Sequence, residues 1–251
     1  MTRYQNNKLT EVILEFGVPV SSAVPLTEQS LQALAGRLRA RLNGQIERLE
    51  ILSQVSLPIL PAGQPVVERQ HRVRVWSADR RRLMQFGPEL CAFNAMQPYT
   101  CFEDYLDDAH FLFEQYTEMR RPASVGFFGQ RRINAFDLPA SESPADYFSL
   151  YPTGVSQRAG PRHVPFQLHV AVATFPTGQV TVGMVYMGEA TPGGQHRYLL
   201  DLYARSSEPV AIPWDWQAAL GWQEEARKVI NDIFSQAITL RTKEMIGPGE
   251  P

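Results

Sequence analysis

The chain has 251 residues, 44% of them hydrophobic and 20% charged, with a formal net charge of −2. Those proportions are those of a globular protein with an ordinary core. They exclude a chain disordered throughout, and the near balance of charge gives no general attraction to nucleic acid. No apolar run reaches the roughly 18–20 residues needed to cross a bilayer as a helix. The polar opening from Met1 to Lys8 lacks the apolar segment of a secretory signal, so the expectation is a cytoplasmic protein without a membrane partner. Cys91 and Cys101 are read as two reduced thiols, with neither the spacing nor the neighbouring histidine of a metal site.

Taken in chain order, β-branched and aromatic residues between polar ones predict a first strand over Glu11–Phe16. Leu31, Leu34, Ala35, Leu38 and Leu42 then recur at helical spacing, with Thr27 as the cap and Asn43-Gly44 as the stop. Three strands follow, Ile46–Leu57, Val66–Trp76 and Leu83–Phe93, punctuated by Pro58, Pro61 and Pro65 and by the turn Ser77-Ala78-Asp79. Thr100 and Glu103 form a capping-box pattern ahead of a helix whose apolar face includes Tyr105, Ala109, Leu112, Phe113 and Tyr116. The second half opens with a strand over Ser124–Phe136 that contains Gly126 and Gly129, and a short helix begins at Ser143-Pro144. Strands over Phe166–Phe175, Val180–Met187 and His196–Ala204 come next. Asp215 then caps one long helix that runs to Gly247.

The order strand, helix, three strands, helix thus occurs twice. The fold class expected is α+β: mainly antiparallel sheet in two similar β-α-β-β-β-α halves with helices on one face. The chain is read as one domain over 1–251, with halves at 9–121 and 122–246 that match in element order and not in residues.

Signatures of chemistry are missing. There is no G-x-x-x-x-G-K-[ST], no G-x-G-x-x-G after a strand and no G-x-S-x-G elbow, so no catalytic residue, cofactor or metal is assigned. Asp104, Asp107 and Asp108 share a helix face. They are read as complements to the helix dipole on a solvated surface. His169, in an alternating strand, is read as an exposed or hydrogen-bonded side chain rather than a ligand.

Arginine supplies 21 of the 24 basic residues, and it is the better bidentate partner for carboxylate or phosphate. Arg69, Arg72 and Arg74 precede Arg80, Arg81 and Arg82 across a predicted hairpin. Alternation puts Arg72 and Arg74 on one face of their strand, opposite Val73 and Val75. Arg131, Arg132 and Asn134 lie in the first strand of the second half. The candidate binding residues are therefore Arg72, Arg74, Arg81, Arg131, Arg132 and Asn134.

Four segments resemble a sporadically distributed bacterial family of about this length that has no established activity. Leu9 to Phe16 resembles its opening strand. Gln130-Arg131-Arg132-Ile133-Asn134 resembles its mid-chain Arg-Tyr-Ile-Asn signature, with arginine in place of tyrosine. Leu200-Asp201-Leu202 resembles its last-strand motif, and Phe234 to Thr239 its closing helix. Where the family has Trp-Glu at its central helix, this chain has Phe102-Glu103. The patchy occurrence that the resemblance implies would suit an accessory component of a bacterial mobile or defence system.

The leading expectation is a non-enzymatic protein-binding or adaptor component, acting on a protein partner or a second copy of itself through a sheet face or a helix groove. The alternative is a nucleic-acid-binding module that uses the arginine-rich hairpin Arg69–Arg82. A hydrolase with a dispersed site stands third.

Overall fold

Along the described strands one side is largely apolar and the other mixed, and that alternation sets the architecture. The computed structural model describes residues 8–19, 24–54, 67–98, 101–152, 166–191, 194–206 and 214–247, with backbone alone for 48–54 and 67–71. In chain order the elements are β1 (Leu9–Gly17), α1 (Glu28–Leu42), β2 (Gln45–Gln54), β3 (Val67–Trp76), β4 (Arg82–Phe86), β5 (Leu90–Met96) and α2 (Leu106–Arg120). Then follow β6 (Phe127–Pro139), β7 (Gln167–Phe175), β8 (Gly178–Thr191), β9 (Gln195–Ser206), α3 (Trp216–Ala237) and α4 (Leu240–Ile246).

The nine strands form one antiparallel sheet in the order β2-β3-β4-β5-β1-β6-β9-β8-β7, with the helices packed on one side. All strands that precede α2 lie on one side of the β1–β6 pair, and all that follow β6 lie on the other. The register carries one transverse row of side chains towards the helices: Ile46, Val75, Met84, Phe93, Leu14, Gln130, Ala204, Val180 and Ala173. Seven members of that row, Val75 through Val180, are buried. Burying a side chain of the size of Leu14 or Phe93 stabilises the fold by about 1.5–3 kcal/mol.

The helices meet this surface with the stripes expected of them. Leu31, Leu34, Ala35, Leu38 and Leu42 of α1 are buried. Thr27 and Ser30 close its start as a reciprocal capping box. Its end needs Asn43 in the left-handed region at φ 46°. It also needs a glycine next, because a Cβ on Gly44 would lie 1.8 Å from the Trp76 carbonyl oxygen. Phe16, Phe113 and Phe128 pack edge to face, with Trp216 and Trp222 beside them.

The largest buried polar side chains on the helix side bond to backbone carbonyls. Arg120, almost fully buried, donates from Nη1 to the Val24 carbonyl and from Nη2 to the Pro88 carbonyl at 2.6 Å. Tyr116 donates its hydroxyl to the Gly87 carbonyl at 2.9 Å. Burial raises that phenol well above its ordinary pKa.

The two edges of the sheet are managed differently. β2 carries charge along its length, with Glu47, Arg48 and Glu50 in its sequence. β7 has no charged residue, and its pairing with β8 is instead interrupted by a bulge between Ala171 and Ala173.

Four expectations are corrected. The strand predicted over Leu83–Phe93 is a hairpin, β4 and β5, because Gly87 and Pro88 make a turn closed by the Gly87 amide on the Leu90 carbonyl at 2.8 Å. The first half therefore carries four strands after α1. The helix at Ser143 is a single 3-10 turn over Pro144–Asp146, capped by Ser143. The long closing helix is two helices: Ile238 is extended and bridges Phe148, and Thr239 caps a new start.

Asp108 is the fourth correction. It is not on a solvated face, since its buried carboxylate accepts from Arg41 Nε at 2.8 Å and from Arg82 Nη1. α2 begins through a 3-10 turn at Glu103–Tyr105. Thr100, Pro58, Pro61 and Pro65 lie outside the described residues. Cys91 and Cys101 are free thiols, and burial raises the Cys91 thiol well above its ordinary value. No helix among the described residues is long and apolar enough to cross a membrane.

Candidate functional site

Residues one step along each strand point the other way, onto a face that no described helix covers. Its central row reads Gln45, Trp76, Leu83, Asn94, Ile13, Arg131, Tyr203, Thr181 and Ala171. The composition differs sharply from that of the helix-facing row. Long polar side chains lie across this surface and hydrogen-bond to one another.

In the first half, Gln85 Nε2 donates to Asn94 Oδ1 at 2.9 Å, and Asn94 Nδ2 donates to Glu11 Oε1 at 2.6 Å. Trp76 Nε1 donates to Glu47 Oε2 at 3.0 Å. This layer shields Ile13 and Leu83, which are only 7% and 4% exposed although no described helix covers them.

In the second half the same face is hollowed. Glu15, Arg131, His169, Thr181, Gly183, Asp201 and Tyr203 line a concavity of about 350 Å³. Gly183 forms part of its lining, and Gly129 lies beneath two of its wall residues. A Cβ on Gly183 would lie 2.8 Å from His169 Cε1, and one on Gly129 would lie 2.5 Å from Glu15 Oε2 and 3.2 Å from Tyr203 Cε2. Glycine at these strand positions lets neighbouring side chains lean across the sheet.

Two interactions order the walls. Arg131 grips Asp201 with a fork, Nε to Oδ1 at 2.8 Å and Nη2 to Oδ2 at 2.5 Å. The hydrogen bonds to Asp201 raise the Arg131 pKa above its ordinary value, and the charges of Asp201, Glu15 and Glu11 add to that. Tyr203 donates its hydroxyl to Glu15 Oε2 at 2.8 Å. Burial, and then the Glu15 carboxylate, raises that phenol well above its ordinary value, so it stays a donor at neutral pH. His169, exposed, lies with its Nε2 2.7 Å from Gln167 Nε2.

The six candidate residues are not one cluster. Arg131 faces the concavity. Arg132 and Asn134, one and three residues on, face the helices and are buried. Arg132 Nη1 donates to Asn231 Oδ1 of α3 at 2.5 Å, and Asn134 Nδ2 donates to the Leu200 carbonyl at 3.3 Å. Arg72 and Arg74 are half-buried, opposite the buried Val73 and Val75 as alternation requires. Arg81 is exposed in the β3–β4 turn, 4.0 Å from Asp79.

Arg82 points to the helix side and is held by Asp108, and Arg80 lies over the Trp76 ring at 5.1 Å. Arginines 72 to 82 are therefore divided between two faces and a turn rather than aligned in one stripe. The Arg69 side chain lies outside the described residues. Glu15, Thr181, Gly183 and Tyr203 were not singled out from the sequence. Their signal was faint: a charged residue and glycines inside otherwise apolar strands.

Among the described residues no group of three His, Cys, Asp or Glu is placed to hold a metal ion. Neither a family model nor a curated protein matches the chain.

Proposed function

We propose that this protein is a non-enzymatic binding component that takes a protein partner on the open face of its sheet, centred on the concavity over Gly183. The observation that carries the reading is the contrast between the faces. One is apolar and covered by helices. The other has no described helix on it and presents ordered polar groups around a hollow. Ordered donors and acceptors over a partly shielded apolar layer are how protein interfaces achieve specificity.

Charge favours a protein over a nucleic acid. Glu11, Glu15 and Asp201 sit on the central strands against Arg131 and Arg205 in the same stretch, and Arg131 is engaged by Asp201. Phosphates brought to this surface would meet more carboxylates than guanidiniums. Binding is also favoured over hydrolysis. Asp201 is neutralised by a guanidinium, and the Tyr203 phenol is pushed away from the range in which it would act as a base. An accessory role in a bacterial mobile or defence system fits a protein whose chemistry is recognition.

Affinity capture from the source cells, with wild-type protein and an Ala171→Arg/Thr181→Arg variant as paired baits, tests the reading. The wild type is expected to retain a defined partner that the variant loses, while an Arg39→Glu variant on the outer side of α1 keeps it. Equal capture by wild type and the open-face variant would contradict it.

A further inference from the structure

The concavity also has a chemistry that specifies what enters it. Two carboxylates and one guanidinium line it, and the guanidinium is committed to Asp201 through both of its oxygens. Glu15 has no such partner. Among the described residues it accepts the Tyr203 hydroxyl on Oε2 and forms no ion pair. Glu15 is half-buried and Asp201 is 8% exposed, so both carboxylates sit where water screens them less than at an open surface. Glu11, on the same face of β1, adds a third negative charge that reaches Arg131. Arg205 hydrogen-bonds Tyr203 beside the hollow, so three carboxylates face two guanidiniums, one of them committed to Asp201, with an aromatic side chain as one wall and Gly183 as floor.

We propose that this hollow is a subsite for the guanidinium group of a partner protein's arginine side chain. This rests on the open-face reading above and specifies it. A planar guanidinium offers five donors in a fixed fork, is weakly hydrated and tolerates an aromatic wall. Those properties match a site with Glu15 on one side, an Asp201 already oriented by Arg131 on another, and Tyr203 between them in the register. The volume of about 350 Å³ lies at the small end of the range for ligand sites and has room for one long side chain. The Tyr203 hydroxyl, kept protonated, fixes Glu15 so that its second oxygen is presented without reorganisation.

The test is a nitrogen-15 NMR titration of the full chain with N-acetyl-arginine methylamide. Its neutral isostere, N-acetyl-citrulline methylamide, and N-acetyl-lysine methylamide serve as parallel probes. Saturable shifts at the Gly129 and Gly183 amides are expected with the arginine probe, and at least about tenfold weaker binding with citrulline, equivalent to roughly 1.4 kcal/mol. Glu15→Gln, which keeps size and an acceptor for Tyr203, is expected to weaken the arginine probe by a similar factor. Gly183→Ala is expected to weaken it by displacing the His169 ring across the hollow, since the new Cβ would meet that ring at 2.8 Å. Equal binding of arginine and citrulline, equal binding of lysine, no effect of Glu15→Gln, or shifts confined to the helix side would each overturn the assignment. If the arginine probe fails while open-face variants still abolish partner capture, the subsite alone falls. If the probe binds but capture is indifferent to those variants, the open-face protein reading falls.

Discussion

Strand β6 shows both faces of this molecule within six residues. Phe128, Gln130 and Arg132 point to the helices, where Phe128 packs against Phe16 and Trp222 and is fully buried. Gln130 and Gln223 meet there, Gln130 Nε2 donating to Gln223 Oε1 at 3.1 Å and Gln223 Nε2 to the Gly129 carbonyl at 3.0 Å. Gly129, Arg131 and Ile133 point the other way, to a surface without a described helix. The helix side uses polar residues sparingly and holds them through specific contacts in the core. The open side uses them to cover apolar residues and to build a hollow. Similar side chains, Arg131 and Arg132, consequently do different work: one orders a site, the other anchors α3.

That comparison is broken most severely on the helix side. Phe128→Ala is expected to cost about 3–5 kcal/mol, because it leaves a cavity between Phe16 and Trp222. The measurement is a shift of the urea midpoint with an unchanged slope. Gln223→Met, near in volume, is expected to cost about 1–3 kcal/mol by removing the side-chain donor to the Gly129 carbonyl and one of the two acceptors of Gln130 Nε2. The same urea titration checks it, and a change within error would mean that water or another group satisfies them.

Open-face ion pairs should matter less. Arg197 and Asp137 pair at 2.7 Å, with the arginine side chain 49% exposed, so Arg197→Leu is expected to cost about 0.2–1 kcal/mol at neutral pH. The effect should depend on pH in one direction. The hydrogen bond from Arg197 holds the Asp137 carboxyl below its ordinary value of 3.8. A depressed folded value contributes stability above the unfolded pKa and loses it as pH falls through the folded one. The gap between wild type and variant should accordingly be constant from neutrality to about pH 5 and close as the pH falls below the ordinary value of 3.8. Smallest of all, Ala171→Arg and Thr181→Arg should each move stability by no more than about 0.5 kcal/mol, as read by thermal denaturation. The open-face test of function depends on that small effect.

Much of the fold was legible in the sequence because it rests on local rules. The leucine stripe of α1, the Thr27 cap and the Asn43-Gly44 stop are written within one segment. Misreadings came where distant contacts decide. Ile238 leaves the helix to bridge Phe148, some ninety residues away, and nothing near Ile238 announces it. The Gly87-Pro88 turn was readable, but the apolar run on both sides suggested one strand.

The candidate site was less legible. Alternation alone separates Arg131 from Arg132 and Asn134, yet which side would receive the helices depends on the whole sheet. Glu15 and Tyr203 are 188 residues apart. Their meeting depends on β6 lying between β1 and β9, a fact of strand order that no local pattern encodes.

The most direct test of the central claim is site-specific photo-crosslinking from the two faces. A benzophenone amino acid at Thr181 probes the open side and one at Gln32 on α1 probes the helix side, each in the full chain within the source cells. The account predicts a discrete partner adduct from Thr181, lost when Glu15→Gln and Tyr203→Ala are added, and none from Gln32. Adducts from Gln32 with none from Thr181 would place the working surface on the helices and contradict it.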